Sequence, residues 1–145
     1  MRHWTTSSPA ATRRLGERLA REVAPDGLVL LFGDLGSGKT ALTQGIARGL
    51  GLDSGEVQSP TFTLIREHVG QDGRGAAVRL VHIDLYRLRP DEVADLGLEE
   101  ILGEPAVKVI EWADRLPAPL AADLALELSR GKTETSREVR EVARR

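Results

Sequence analysis

One stretch of this chain has residue types and spacing that can do chemistry. Gly33-Asp34-Leu35-Gly36-Ser37-Gly38-Lys39-Thr40 satisfies the pattern G-x-x-x-x-G-K-[ST] in full. Glycines let the backbone curl until several amide hydrogens converge on one point, an arrangement that suits phosphate oxygens. A helix opening at Lys39 adds its N-terminal N–H groups and dipole, which favour an anion. Lys39 supplies a point charge for the β- and γ-phosphates, and the Thr40 hydroxyl a ligand for Mg²⁺. The chain has 17 arginines and three lysines, and one of the three stands here. The bland alternative is a glycine-rich structural turn. The apolar run before the motif and the helical pattern after it weigh against that alternative.

Work on a phosphate also needs carboxylates for a metal and for the attacking water. Asp84 follows Leu80-Val81-His82-Ile83, the pattern of a Walker B strand, and Glu111 follows Val107-Lys108-Val109-Ile110. Ligand sites in open α/β sheets lie at the carboxyl ends of parallel strands, so both acids are well placed if these strands run parallel to the first. Otherwise each is a surface acid opening a loop. His82, Asp84 and Tyr86 alternate along one strand and should share a face. Two ligands from one strand are too few for a closed zinc site, and no cysteine is available, so His82 reads as a core or supporting histidine. Ser59-Pro60-Thr61-Phe62-Thr63 is either a strand start or the place where a switch protein senses a γ-phosphate. Trp112 is equally open between packing and function.

The elements that must hold these groups follow from the apolar pattern. Ser8-Pro9 has the form of a helix start, and Ala11, Leu15, Leu19 and Val23 recur at spacing four. Leu28–Phe32 is a continuous apolar run of strand length, suited to a central parallel strand. Leu42, Ile46 and Leu50 mark a second helix, which Gly51 ends. Thr61–Ile65 and Val78–Ile83 read as strands joined through a Gly70–Gly75 turn, an antiparallel hairpin. Short helical segments are expected at Pro90 and over Leu98–Leu102, then a strand over Val107–Ile110. Leu124, Leu126 and Leu128 alternate as in an exposed edge strand, with Val139–Val142 as its pairing partner across Gly131. The whole predicts an α/β fold of the P-loop NTPase kind. It is a three-layer sandwich whose mixed sheet has parallel core strands and antiparallel hairpin strands. Residues 1–145 read as one domain, with about 130–145 forming an edge strand and a flexible basic tail.

Composition narrows the function classes. Apolar residues at 41% and charged residues at 29% are ordinary globular usage, which rules against wholesale disorder. Twenty basic and 22 acidic side chains leave a net charge of −2, so a globally basic nucleic-acid binder is ruled down. The absence of cysteine removes disulfides, iron–sulfur clusters and thiol chemistry. No apolar run approaches the roughly 18 residues of a membrane helix, and Arg13, Arg14, Glu17 and Arg18 stand where an export signal would be apolar. A cytoplasmic protein is expected. Residues 84–104 hold seven acids against two arginines, which is either a solvated face or a docking surface.

Taken in order, Gly33–Thr40, Ser59–Thr63, His82-Ile83-Asp84-Leu85-Tyr86-Arg87 and Ile110-Glu111-Trp112 resemble the TsaE family, formerly YjeE, from about Thr12 to Leu116. That family is the bacterial ATPase of tRNA threonylcarbamoyladenosine synthesis. The resemblance implies ATP and Mg²⁺ as ligands, slow intrinsic hydrolysis, and action with TsaD and TsaB, the pair that transfers threonylcarbamoyl to adenosine 37 of tRNA. It implies that nucleotide is held from Gly33 to Ala41, with Lys39 on the phosphates. Thr40 and Glu111 then correspond to the metal-associated pair, Thr61 to the switch-like threonine and Asp84 to the Walker-B-like acid. Lys39, Thr61, Asp84 and Glu111 are the catalytic candidates.

Two other classes fit a P-loop. A small-molecule kinase would need an acceptor pocket and an arginine-rich lid, and no motif for either is evident. A GTPase would need an Asn/Thr-Lys-x-Asp strand end, which Val109-Ile110-Glu111-Trp112 does not offer.

Overall fold

Helix α1 (Pro9–Val23) begins where the sequence places it. Ser8 is the N-cap, its Oγ accepting from the Ala11 amide at 3.1 Å, and Pro9 occupies the first turn. Its Leu15, Leu19 and Val23 are buried, and they face helix α2 (Lys39–Gly49) and the sheet. The computed structural model describes residues 1–53, 65–118 and 120–143. The Thr61–Leu64 strand and the Ser59–Thr63 segment, Thr61 included, lie outside the described residues.

The remaining elements are β1 (His3–Thr6), β2 (Leu28–Phe32), β3 (Ile65–Gln71), β4 (Ala77–Asp84), α3 (Pro90–Ala94), α4 (Leu98–Leu102), β5 (Val107–Glu111), a 3-10 turn at Ala113–Arg115, β6 (Leu124–Arg130) and β7 (Arg137–Glu141). The sheet order is β1-β7-β6-β2-β5-β4-β3. Strands β6, β2, β5 and β4 are mutually parallel, while β3 and β7 run antiparallel to their neighbours. The mixed α/β fold is therefore as the sequence predicts, with β2 at the centre and buried over Leu28–Leu31. The β3–β4 hairpin also forms, its turn tied by Asp72 Oδ1, which accepts from Arg74 N and Ala76 N at 2.8 and 3.0 Å.

Alternation along the strands sorts side chains onto two faces. Val29, Leu31, Leu80, Val107, Val109, Leu124 and Leu126 pack against α1 and α2. Leu28, Leu30, Val81, Ile83, Ile110 and Ala125 pack on the other side with Val93, Leu98 and Ala113. The two helices on the first face approach closely, because glycines stand where they cross. A Cβ at Gly16 would collide with the Leu42 carbonyl, one at Gly45 with the Arg13 carbonyl, and one at Gly49 would lie 2.6 Å from the Glu17 carbonyl oxygen.

Two expectations are corrected. Strand β6 is not an edge strand: it lies between β2 and β7. Period-2 alternation reports how the faces are covered and is silent about hydrogen-bonding neighbours. Nor is residue range 130–145 an edge. Strand β1, which the sequence reading did not place, pairs with β7 at His3↔Arg140 and Thr6↔Arg137 and takes that edge. The acidic run also divides. Asp84 is buried, Glu92 accepts from the Arg89 amide at the start of α3, Glu104 pairs with Arg79 at 2.8 Å, and Glu99 and Glu100 are exposed.

Candidate functional site

The glycine-rich loop leaves β2 at Phe32 and enters α2 at Lys39, and its glycines meet specific demands. Gly36 and Gly38 adopt φ of 77° and 103°, values that favour glycine. Gly33 is also confined by space, since a Cβ there would lie 2.5 Å from the Leu128 carbonyl oxygen and 2.8 Å from Ser37 Oγ. Gly38 is the N-cap of α2 and offers no side chain to its first turn. The first amide bonded within the helix is that of Leu42, to the Gly38 carbonyl, so helix geometry leaves the N–H groups of Lys39, Thr40 and Ala41 without an intrahelical acceptor. Ser37 Oγ is buried with no hydrogen-bond partner among the described residues.

Lys39 is buried, and its ammonium donates to the carbonyls of Gly33 and Asp34, the latter at 3.3 Å. It also lies 3.9 Å from the centre of the Trp112 ring. Burial pulls its pKa below the usual lysine value, and the nearby carboxylates of Glu111, Asp84, Asp114 and Asp34 oppose that shift.

The two acids stand where the strand reading requires. Because β4 and β5 run parallel to β2, Asp84 and Glu111 both end their strands on the same side as the loop, and they are direct partners across the β4–β5 ladder. The alternation that sends Leu80 and Val109 toward α1 and α2 sends His82, Asp84 and Glu111 there too. Asp84 Oδ1 accepts from the Tyr86 amide at 2.9 Å, which holds the carboxylate at the strand end. Glu111 is 2% exposed, and its Oε2 meets Nε2 of the fully buried His82. His82 is thus the core and supporting histidine of the sequence reading, and its other nitrogen, Nδ1, has no hydrogen-bond partner among the described residues.

Trp112 follows Glu111 with φ 57° and ψ 45°, the only positive-φ non-glycine residue among those described. Left-handed backbone at a bulky residue costs about 1–3 kcal/mol and persists where the surroundings impose it. Here it turns the indole toward Lys39 and against Tyr86, with ring centres 4.7 Å apart.

These groups share one cleft of about 520 Å³, within the usual size of a small-molecule site. Every expected nucleotide-binding residue from Asp34 to Ala41 lines it, together with Asp84 and Glu111. Gly33 lies behind the loop, lining a second hollow with Leu128 and Arg130. The sequence reading missed the opposite wall. Pro9 and Thr12 come from the start of α1, Thr135 from the β6–β7 connection and Arg137 from the start of β7. The Arg137 stem lies against Gly38, and its guanidinium donates to the Glu134 and Ser136 carbonyls at 2.8 and 2.7 Å. No local motif announces this wall, because folding alone brings residue 137 to residue 38. Tyr86 and Arg87 also line the cleft; their adjacency to Asp84 was the available signal.

The donor set fits a nucleotide with its metal. The helix N-terminus, the unpartnered Ser37 hydroxyl and Lys39 suit phosphate oxygens. Among the described residues no three His, Cys, Asp or Glu side chains are grouped to hold a metal. Mg²⁺ is commonly bound through one or two carboxylates together with substrate phosphates, so a site of Thr40 and Glu111 suits that chemistry.

A mixed sheet with parallel core strands, flanking helices and a glycine-rich loop running from the central strand into a helix defines the P-loop NTPase-like α/β class. Within that class, residues 6–140 match the family described as "Threonylcarbamoyl adenosine biosynthesis protein TsaE", and the chain belongs to it. A Streptomyces coelicolor relative, named tRNA threonylcarbamoyladenosine biosynthesis protein TsaE, is 42% identical over 133 residues, covering 90% of this chain and 86% of that one. Relatives of the same name from Nostoc and Bacillus subtilis are 43% and 42% identical, with 74% and 76% of this chain matched and 65% of each of theirs. The crystal structure of Bacillus subtilis YdiB superposes with a TM-score of 0.71 at 31% identity, covering 99% of this chain and 85% of that one. Among the described residues no helix is long and apolar enough to cross a membrane.

Proposed function

We propose that this chain binds ATP with Mg²⁺ and hydrolyses it slowly, serving tRNA threonylcarbamoyladenosine synthesis in the cytoplasm with the transferase pair TsaD and TsaB. The observation that carries the reading is the convergence of the loop lysine with two carboxylates from adjacent parallel strands in one cleft. Loop amides from Asp34 to Ala41 hold the phosphates, and Lys39 exchanges its loop carbonyls for phosphate oxygens. Thr40 and Glu111 hold the metal, and Asp84 orients water or metal-bound ligands from the neighbouring strand. Thr61 completes the set as the γ-phosphate-sensing residue. When bound, Mg²⁺ neutralises charge on the β- and γ-phosphates during transfer to water.

Support for the partners is the family name; TsaD and TsaB are the proteins whose turnover this ATPase sustains. The deciding experiment measures ATP hydrolysis by the purified chain, alone and with TsaD and TsaB, with Lys39→Ala as control. Slow turnover that rises with the pair and vanishes in the variant is expected. ATP binding with turnover indifferent to the pair would redirect the reading to phosphoryl transfer onto a small acceptor.

A further inference from the structure

The contact between His82 and Glu111 lies beneath the residues that face the nucleotide. We infer that His82 is a positioning residue, whose Nε2–H holds Oε2 of Glu111 so that the other carboxylate oxygen is presented to the loop. The inference rests on the proposed reading of the cleft and deepens it.

Three observations carry it. The ladder places His82 opposite Val109, so Glu111, two residues further along β5 on the same face, is its diagonal neighbour. Both side chains are buried, His82 completely and Glu111 to 3% side-chain exposure, so water cannot substitute for either partner. Among the described residues Nδ1 of His82 has no hydrogen-bond partner, which leaves Nε2 as the nitrogen with a contact. A glutamate that serves as a metal ligand, as in the proposed reading, only accepts hydrogen bonds, so in this inference Nε2 carries the proton. A histidine kept for packing alone would be an expensive choice here, since an aliphatic side chain leaves no nitrogen buried without a partner.

The anchor has a specific task. Lys39 and Glu111 line the same cleft, and the carboxylate acts on the ammonium through space, yet the Lys39 ammonium bonds to the loop carbonyls of Gly33 and Asp34. Released from His82, Glu111 can turn to Lys39 and pair with it directly. That pairing takes the lysine from the phosphates and the carboxylate from the metal together.

The test compares His82→Leu, which removes the donor, with His82→Gln, which keeps an N–H at similar reach. For the leucine variant, turnover is expected to fall and the Mg²⁺ requirement to rise by about 10–100-fold. Metal-free ATP affinity should fall as well, because Lys39 is drawn from the phosphates, and glutamine should recover most of both losses. A leucine variant that turns over like the wild type overturns the inference alone. So does a folded glutamine variant as impaired as leucine. A wild type without Mg²⁺-dependent hydrolysis overturns both the functional reading and this one. Should the leucine variant fail to fold, the glutamine variant and ¹⁵N-histidine NMR of the nucleotide-free protein decide. A protonated Nε2 whose resonance moves in Glu111→Gln is the expected result, and an unprotonated Nε2 overturns the inference.

Discussion

The ammonium of Lys39 rests 3.9 Å from the centre of the Trp112 ring while bonding to the carbonyls of the loop that precedes it. The lysine is folded back on its own loop, so a phosphate bound as proposed would have to draw it away. Nucleotide binding should therefore change the environment of Trp112. In a Trp4→Phe background, which leaves Trp112 as the only tryptophan, ATP with Mg²⁺ should alter the emission. The same titration of Lys39→Ala should show little change. An unchanged spectrum at saturating ATP in the parent would contradict the displacement of Lys39.

Affinity should separate from turnover between the lysine and the glutamate. A unit charge at 4 Å is worth about 4 kcal/mol at an effective dielectric of 20, so Lys39→Ala should weaken ATP binding by up to about a thousandfold. In the proposed roles, Glu111→Ala would disturb the metal and the water and leave the phosphate cradle in place. Its ATP affinity by calorimetry should stay within about threefold while Mg²⁺-dependent turnover is lost. Equal affinity losses in the two variants would refute this division.

Gly36 carries two constraints that a pair of substitutions can separate. Its φ of 77° disfavours a side chain, and a Cβ there would meet the Arg130 guanidinium at 2.7 Å. Gly36→Ala should lower ATP affinity by about tenfold, the equivalent of about 1–2 kcal/mol of backbone strain and crowding. Adding Arg130→Ala removes the crowding and leaves the strain, so affinity should recover only in part. Full recovery would show that the loop tolerates alanine at that φ.

Helix packing gives a prediction of stability alone. A Cβ at Gly45 collides with the Arg13 carbonyl, which is backbone and cannot swing aside. Gly45→Ala should destabilise the fold by about 1–3 kcal/mol despite the better helix propensity of alanine, worth about 1 kcal/mol. Chemical denaturation measures this directly, and a stabilised variant would mean that the two helices separate freely.

The central site was legible in the sequence because its signals are local. The loop motif is contiguous, and Asp84 and Glu111 each follow an apolar run that a parallel sheet must bury. What remained hidden depended on pairing across the chain. The Leu124–Leu128 alternation reveals one well-covered face, but nothing local tells that β2 and β7 occupy both edges of that strand. His3–Thr6 is too short to announce a strand and is ordered by pairing with β7, over 130 residues away. The wall formed by Thr135 and Arg137 follows from the same closure, since β7 must dock before residue 137 reaches Gly38.

The parity of β4 and β5 sets where this chain can change length. Side chains alternate between faces, so one residue inserted within Leu80–Asp84 or Val107–Glu111 would turn an acid to the far side of the sheet and bring an apolar neighbour into the cleft. The Asp72–Ala76 turn joins β3 to β4 at the end away from Asp84, where Gly73 and Gly75 have open space around them. Added residues there lengthen a surface loop without shifting the parity of either strand. Evolutionary insertions and engineered tags alike should be accommodated at that turn, while the strands that end in Asp84 and Glu111 hold their length.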